Sequence, residues 1–515
     1  MVAEKSPTVR PISATRFVLH PAFRDFVFTG AATTFTVIAA TAVISILGKS
    51  VGATLLAEYL LLRRMASWFQ SGVQVPSAVA LPRFVAFNID ESGLVRQTYF
   101  VAATLTSGGI ALLLGVVLLF WHIPLSRLMF GSSDLAHLMV PLALMLIGLA
   151  IHGAVFGYYQ GTLAMGKASA LQLLNLVIIP ILATFFLKSK FSIPWIVNTI
   201  AISMCVVSVI FTFPIVRRWE PGFSLWQLRS QSLELLSYGS VRILGDIGIQ
   251  AMLGLPSVVA AHYFPIASVS ALLLGGSFLT VMGAASLPLG NILLSRVSRS
   301  IAQMRTDQLR FRVSIFVEAL IELSVFACLQ MLVFSDVIIR LWVGPTFLEG
   351  IRVIQITILA VPFYFVHAGL RSVIDAAAIR AYNTQNIIIS AVTFLLTIPI
   401  INSTIPRDHL LEALAGSSVL GMAVLAFCTL RTVRHLIRPE LRLLKLFPGL
   451  CVVILLGVLS FVLRQSYGWT PTWVTLAGYE LLVGIAYLCV IRVLCSSWLA
   501  FVLNSIFPSR ALGQE

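Results

Sequence analysis

Apolar runs of about twenty residues recur along the chain from Phe26 to Cys495. A run of this length can cross a hydrocarbon layer roughly 30 Å thick as a helix. Hydrophobic residues make up 58% of the chain and charged residues only 11%, far below the roughly 25% of a typical soluble domain. These features predict an all-α, polytopic membrane protein.

Breaks at charged or Pro/Gly-containing loops divide the chain into about 14 transmembrane helices. We place them at 26–48, 51–72, 99–120, 137–160, 169–187, 192–216, 236–261, 266–293, 313–334, 350–372, 384–404, 409–430, 446–463 and 471–494. With the N-terminus inside, the inner loops hold roughly three times as many Lys and Arg as the outer loops. Both termini are therefore expected in the cytoplasm.

A weak internal duplication recurs at an offset of about 211 residues, as is common in transporters. It pairs Pro76 with Pro288 and Asn175 with Asn386. Six spans per repeat predict two pseudo-symmetric six-helix bundles followed by two extra C-terminal helices. The expected segments are a cytoplasmic tail (1–25), an N-terminal bundle (26–216), an interfacial linker (217–235), a C-terminal bundle (236–430), two additional spans (446–494) and a cytoplasmic tail (495–515). Ser224 is a plausible helix cap in the linker, which we interpret as an amphipathic connection rather than a lipid sensor.

Two adjacent arginines, Arg63 and Arg64, lie about 18 Å into the second span, near the middle of the layer. A charge at this depth usually faces a partner or a wet cavity. Only Glu58 lies nearby on the same helix, and Ser67 and Gln70 share the arc of Arg63. Because guanidinium groups present forked donors that suit phosphate, the pair indicates an anion site. An ion pair between helices is the alternative.

The seventh span carries Arg242 and Asp246 on one polar arc with Gln250. Arg242 is close enough to the cytoplasmic end to snorkel, whereas Asp246 lies about 6 Å deeper and cannot reach the headgroups. Asp246 is therefore a candidate for a substrate or ion role. The alternative is a structural ion pair with Arg242 at (i, i+4).

The ninth span contains Glu318 and Glu322, again four residues apart. Two desolvated carboxylates on one face disfavour double ionisation, so a shared proton or a bound cation would relieve the repulsion. This predicts a coupling site, and pairing with arginines such as Arg312 is the alternative. Arg371 and Asp375 in the tenth span repeat the arginine-acid spacing and are interpreted as an interface pair.

Other chemistry is disfavoured by what the sequence lacks. The six cysteines and eight histidines show no metal-ligand spacing, and no P-loop or nucleophile motif appears. We therefore expect no catalytic residues, no metal and no cofactor, and a transporter rather than an enzyme. The basic excess is explained by topology, so nucleic acid is not an expected partner.

Three segments carry a resemblance to a known family: "ILGKSVGATLLAEYLLL" (46–62), "GYYQGTLAMGKASALQLLN" (157–175) and "GLRSVIDAAAIRAYNTQN" (369–386). In their order and spacing they resemble the Wzx-type polysaccharide flippases of the multidrug/oligosaccharidyl-lipid/polysaccharide exporter superfamily. Leu47, Gly48, Gly52 and Tyr59 match the family's first bridge loosely. The family's arginine before the Leu-Gly pair is absent, and Ser45 or Ile46 stands there.

The resemblance implies two bundles that form a V and open alternately inward and outward. It implies an undecaprenyl-pyrophosphate-linked oligosaccharide as substrate, carried across the bacterial inner membrane for polysaccharide export such as exopolysaccharide or O-antigen. The two extra spans would cradle the lipid tail, as in the related lipid II flippases, and Asp246 falls near an aspartate of their cation site. Membrane lipids and the polysaccharide polymerase and export machinery are the other partners considered.

Together, these observations give one hypothesis. Arg63, Arg64 and Arg242, with Arg24 at the inner mouth, hold the pyrophosphate between the bundles. Asp246, or the pair Glu318 and Glu322, couples transport to H+ or Na+. The rival hypotheses are a multidrug or cation antiporter of the same superfamily, which would have an acid-dominated cavity and twelve spans, and a non-transporting membrane scaffold or channel subunit.

Overall fold

The computed structural model describes residues 21–88, 93–188, 192–217, 222, 224–302, 306–378, 380–439, 443–467 and 471–493, and every regular element in these ranges is helical. The α-helices are α1 (Pro21–Val73), α2 (Leu81–Phe87), α3 (Gly93–Phe120), α4 (His122–Phe130), α5 (Met139–Gly161), α6 (Met165–Leu173), α7 (Ile179–Leu187), α8 (Ile193–Val216), α9 (Leu225–Ala261), α10 (Ile266–Ala302), α11 (Thr306–Val333), α12 (Ser335–Trp342), α13 (Ile351–Ile358), α14 (Val361–Ala377), α15 (Tyr382–Thr404), α16 (Leu410–Leu436), α17 (Leu443–Tyr467) and α18 (Trp473–Val493). Two π-helical turns, Val75–Ala80 and Leu174–Ile178, interrupt the second and fifth spans.

The described helices account for the predicted fourteen crossings. Twelve are long and apolar enough to span a membrane, and a further span, Pro345–Ile358 with Val361–Ala377, is bent by 46°. Helix α1 has 53 residues, roughly 80 Å at the usual rise, and therefore crosses twice. Its two arms meet at Gly52, whose φ of 80° is a conformation that residues with a Cβ rarely adopt.

The N-terminal lobe is built from α1, α3, α5, α6 with α7, and α8, and a buried polar junction joins three of its spans. The Asn175 Nδ2 group donates to Ser208 Oγ at 2.9 Å and lies 3.0 Å from His152 Nδ1. The Asn175 and Ser208 side chains are fully buried, and His152 is nearly so. The Asn175 amide nitrogen is thus paired within the apolar interior, whereas its Oδ1 atom is buried without a hydrogen-bond partner among the described residues.

The C-terminal lobe repeats this junction at equivalent spans. Asn386 exchanges hydrogen bonds with Thr432, at 3.0 and 3.1 Å, and His367 Nδ1 lies 2.9 Å from Thr429 Oγ1. Asn386 is the residue that the sequence duplication pairs with Asn175. The two lobes are thus pseudo-symmetric in their internal chemistry as well as in their helix order.

Helix α9 connects the lobes. It begins after Ser224, whose side chain forms a reciprocal capping box with Gln227, and continues without interruption to Ala261. Its first half contacts the N-terminal lobe, where Tyr99 Oη donates to Glu234 Oε2 at 2.7 Å. Its second half packs against α15 and α16 of the other lobe. The predicted linker helix and the seventh span are therefore one continuous helix.

The lobes meet at one end of the molecule, where α1 packs against α12. The Trp342 indole N–H donates to the Thr41 carbonyl at 2.8 Å, and the Ser45 hydroxyl donates to the Trp342 carbonyl at 2.5 Å. Gly48 lies directly on Val343, so closely that a Cβ at position 48 would stand 2.8 Å from Val343 Cβ. This contact joins the two lobes at one end of the molecule, the end that the basic loops predict to face outward.

Candidate functional site

A cavity of about 260 Å³ lies between the lobes, at mid-depth of α1; we call it the central cavity. Both arms of α1 contribute to its wall, together with α9, α10 and α14. Its polar and charged lining residues are Thr36, Thr41, Arg63, Arg64, Ser67, Gln250, Ser277, Thr280 and Tyr364. Among the described residues, the lining contains two arginines and no carboxylate. The predicted pair of arginines therefore lies at a cavity between the lobes.

Arg64 reaches from the N-terminal lobe into the C-terminal lobe between two glycines. A Cβ at Gly254 would lie 2.7 Å from Arg64 Cγ, and a Cβ at Gly276 would lie 3.0 Å from Arg64 Nη2. A residue with a side chain at either position, Gly254 on α9 or Gly276 on α10, would collide with Arg64. The glycines thus determine where the guanidinium of Arg64 is placed.

The charge of Arg63 and Arg64 is not neutralised by an acid in the described part of the chain. Neither guanidinium forms an ion pair with a carboxylate there. Glu58, the acid nearest to them on the same arm, lies 3.6 Å from the His137 ring instead. Uncompensated charge at this depth is costly and indicates a wet cavity or an anionic ligand.

A second cavity, of about 320 Å³, lies towards the end of the molecule opposite Trp342; we call it the entrance cavity. Its lining combines the polar face of the second span with that of the seventh, and it shares three residues with the central cavity. Its polar lining residues are Ser67, Gln70, Ser71, Gln74, Asp246, Gln250, Tyr364 and Arg371. The two polar faces identified from helical periodicity therefore face each other across the crevice.

Asp246 lies in the entrance cavity and pairs with Arg371 of α14, at 3.5 Å between Oδ1 and Nη2. The Arg371 side chain is 47% exposed and the Asp246 side chain is 39% exposed, so water reaches both. The side chain of Arg242, the partner considered from spacing, lies outside the described residues. Asp375, which the spacing paired with Arg371, instead accepts a hydrogen bond from Asn383 Nδ2 at 2.8 Å.

A third cavity, of about 380 Å³, lies within the N-terminal lobe; we call it the lobe chamber. Arg63 belongs to both the lobe chamber and the central cavity, and so do Thr36 and Ala40. The chamber is otherwise lined by neutral polar, aromatic and aliphatic side chains. Periodicity located its second-span wall, but the contributions of α5, α6 and α8 carried no signal in the sequence.

Glu318 and Glu322 lie apart from these cavities, although both are buried in α11. The Glu322 carboxylate packs against Gly449 of α17, where a Cβ would stand 2.3 Å from Oε1. The Tyr487 hydroxyl of α18 donates to Glu322 Oε2 at 3.4 Å. Glu322 thus faces the contact between the C-terminal lobe and the two extra helices.

The structure therefore brings Arg63, Arg64 and Asp246 to one connected set of cavities. Arg24 lies in the first turns of α1, but its side chain is outside the described residues. Arg371 and Tyr364 also belong to the set. Tyr364 lies in the first turns of α14, just after the 46° bend between α13 and α14. Among the described residues, no three His, Cys, Asp or Glu side chains form a group that could hold a metal ion.

The fold and the cavities together define a class: a polytopic α-helical membrane protein with two pseudo-symmetric lobes around a central, positively charged crevice. No family model matches the sequence, and no curated protein matches it either. Several solved structures, however, match the chain. The chain is similar to the lipid II flippase MurJ in an inward closed conformation, with a TM-score of 0.70 and 14% identity over 93% of this chain and 99% of that one.

Transporters of the MATE family are also similar in structure to this chain. An inward-facing multidrug resistance MATE transporter of the MOP superfamily matches with a TM-score of 0.61 and 14% identity, over 78% of this chain and 94% of that one. The Vibrio cholerae MATE transporter VcmN, in the structure of a point mutant, matches with a TM-score of 0.55 and 16% identity, over 81% and 97%. The chain therefore shares the fold of these solved structures. Coverage is fuller for MurJ, whose length the chain matches almost entirely.

Proposed function

We propose that the protein is a flippase that moves an undecaprenyl-pyrophosphate-linked oligosaccharide across the bacterial inner membrane for polysaccharide export. The observation that carries the proposal is the placement of Arg63 and Arg64 at the central cavity, with no ion pair to a described carboxylate. The likeness to a lipid II flippase supports a lipid-linked substrate. In this proposal both termini lie in the cytoplasm.

The chemistry of the substrate fits the cavity. A pyrophosphate carries several negative charges and many acceptor oxygens, and two guanidinium groups offer forked donors that remain charged at any physiological pH. The described lining has no carboxylate to repel the phosphates. The low dielectric of the surroundings strengthens the attraction relative to water.

The arrangement of the lobes supports a mechanism of alternating access. Contacts of Trp342 with α1 hold the outer end closed, whereas Asp246 and Arg371 are accessible at the other end. Moving the lobes about this closed end would expose the cavity to the opposite side. We propose that H+ or Na+ drives the cycle, and Asp246 is the favoured ion site because it lies in the crevice and can exchange Arg371 for a cation.

A multidrug or cation antiporter is the rival, and the likeness to MATE transporters is compatible with it. A cationic drug in the central cavity would meet Arg63 and Arg64 without a compensating carboxylate from the described residues. Like charges in a desolvated cavity repel strongly. The lining chemistry therefore favours the anionic substrate.

The decisive experiment replaces Arg63 and Arg64 with glutamine and measures surface polysaccharide at an equal protein level. Each lost charge-assisted contact should weaken pyrophosphate binding about tenfold or more, so the double variant should lose nearly all export. The matched control replaces Arg340 and Arg352, two exposed arginines away from the cavities, with glutamine. Normal export by the Arg63 and Arg64 variant, or strong dye efflux with unaffected glycan, would refute the proposal.

A further inference from the structure

The lobe chamber has a chemistry different from that of the central cavity. Among the described lining residues, Arg63 alone carries a permanent charge, and it stands where the two cavities meet. The other polar residues of the lining are Thr36, Tyr59, Ser67, Gln70, Gln74, His152, Gln172 and Asn175. A volume of about 380 Å³ lies within the roughly 300 to 1,000 Å³ of small-molecule sites.

The glutamines of the chamber are held in place by hydrogen bonds. Gln74 Nε2 donates to the Leu149 carbonyl at 2.8 Å, and Gln70 Nε2 donates to Gln74 Oε1 at 2.9 Å. Gln172 Nε2 donates to Thr36 Oγ1 at 3.2 Å. Because an amide has two donors and two acceptor positions, each glutamine keeps hydrogen-bonding capacity for a ligand.

Two further features of the wall suit a sugar. Tyr59 and Phe156 supply aromatic surface, on which the apolar C–H face of a pyranose can pack. Both π-helical turns contribute to the lining, through Ala78 in the second span and Asn175 in the fifth. A π-helical turn widens a helix locally and is frequent at functional sites.

Arg63 lines both cavities, so one substrate molecule could extend from the central cavity into the lobe chamber. A phosphate held by Arg63 and Arg64 would leave the group attached to that phosphate at the opening of the chamber. Resting on the proposed function, we infer that the lobe chamber binds the sugar joined directly to the pyrophosphate. The neutral amide lining recognises an uncharged, hydroxyl-rich pyranose there.

Two synthetic lipids test this inference with the full chain in lipid nanodiscs. They are farnesyl pyrophosphate and the same lipid with glucose on its terminal phosphate, and binding is measured by calorimetry. We expect the wild-type protein to bind the glucosylated lipid about tenfold more tightly, which corresponds to one or two good hydrogen bonds. Leu176→Trp, which fills the chamber, should remove this difference and leave the bare lipid unaffected.

Leu182→Trp is the matched control, since Leu182 belongs to the same span and is exposed on the lobe surface. Gln172→Leu is a second variant that changes polarity without adding volume, and it decides the question if Leu176→Trp does not fold. The inference is overturned if the wild type binds both lipids equally, or if Gln172→Leu weakens both lipids or neither. The proposed function fails separately if neither lipid binds, or if Arg63→Gln with Arg64→Gln leaves binding of the bare lipid unchanged.

Discussion

The Arg64 side chain packs directly against Gly254: a Cβ at position 254 would lie 2.7 Å from Arg64 Cγ and 2.8 Å from Trp68 Nε1. Because Gly254 has no side chain, α9 leaves room for the charged Arg64 side chain of the other lobe. Trp68 is itself fixed, because its indole N–H donates to the Gln250 carbonyl at 2.7 Å. The methyl group of an alanine would have to displace Arg64.

We therefore expect Gly254→Ala to reduce export about tenfold, although alanine is the better helix former by about 1 kcal/mol. The measurement is surface polysaccharide at a matched protein level. Gly108→Ala is the control, because no atom beyond its own helix lies within 4 Å of a Cβ there. Unchanged export by Gly254→Ala would show that the placement of Arg64 does not matter.

The pair Asp246 and Arg371 should affect transport more than stability. Both side chains are more than a third exposed, so the pair contributes at most about 1 kcal/mol to folding. We expect Asp246→Asn and Arg371→Gln each to lower export severalfold with little change in Tm. The exchanged double variant, Asp246→Arg with Arg371→Asp, should recover part of the export if the mutual pairing is what matters.

An exposed surface pair provides the comparison for this prediction. Asp307 and Arg310 on α11 also lie 3.5 Å apart, away from the cavities. Replacing them with asparagine and glutamine should leave export and Tm unchanged. An equal loss of export from both pairs would contradict a specific role for the crevice pair.

Trp342 should control opening of the outer end. Trp342→Phe removes the hydrogen bond to Thr41 and retains a ring beside Phe278, which lies 5.5 Å away between centroids. Loss of about 1 kcal/mol should raise the outward-open population roughly fivefold. The readout is labelling of Thr280→Cys, in the central cavity, by an impermeant maleimide added outside in a cysteine-free background.

Trp121→Phe is the control for that labelling, because Trp121 is exposed and contributes to none of the three cavities described above. Equal labelling of the two variants would refute the prediction that Trp342 controls opening at this end of the molecule.

Gly449 should be required for docking of the two extra helices. A Cβ there would stand 2.3 Å from Glu322 Oε1, within a buried contact. We expect Gly449→Ala to destabilise the protein by about 1 to 3 kcal/mol, as overpacking commonly does, and to lower its Tm in detergent. Tyr487→Phe should have a smaller effect, because the hydroxyl lies a long 3.4 Å from the Glu322 carboxylate.

Gly484→Ala in α18 is the comparison, since a Cβ there meets nothing within 4 Å. A Tm of Gly449→Ala equal to that of Gly484→Ala would contradict a tight contact at Glu322.

Much of the architecture could be predicted because it depends on local properties. A span is a run of apolar residues, so hydropathy predicted all fourteen crossings. A polar helix face repeats at 100° per residue, so periodicity predicted that Ser67 and Gln70 accompany Arg63 and that Gln250 accompanies Asp246. The structure places these faces in the cavities. The same reasoning did not identify Tyr364 or Gln172 as lining residues, because the neighbouring helices decide which face of a span meets a cavity.

By itself, the sequence determined the membrane class, the helix count and the position of Arg63 and Arg64 along the second span, because apolar length and helical rise act along one chain segment. Only the tertiary structure decided which groups meet. Asp246 pairs with a residue 125 positions away, and Glu322 with a residue 165 positions away. Spacing along one helix cannot supply such partners. They come from neighbouring helices, and packing between helices alone decides whether a buried charge meets an acid, a glycine or an open cavity.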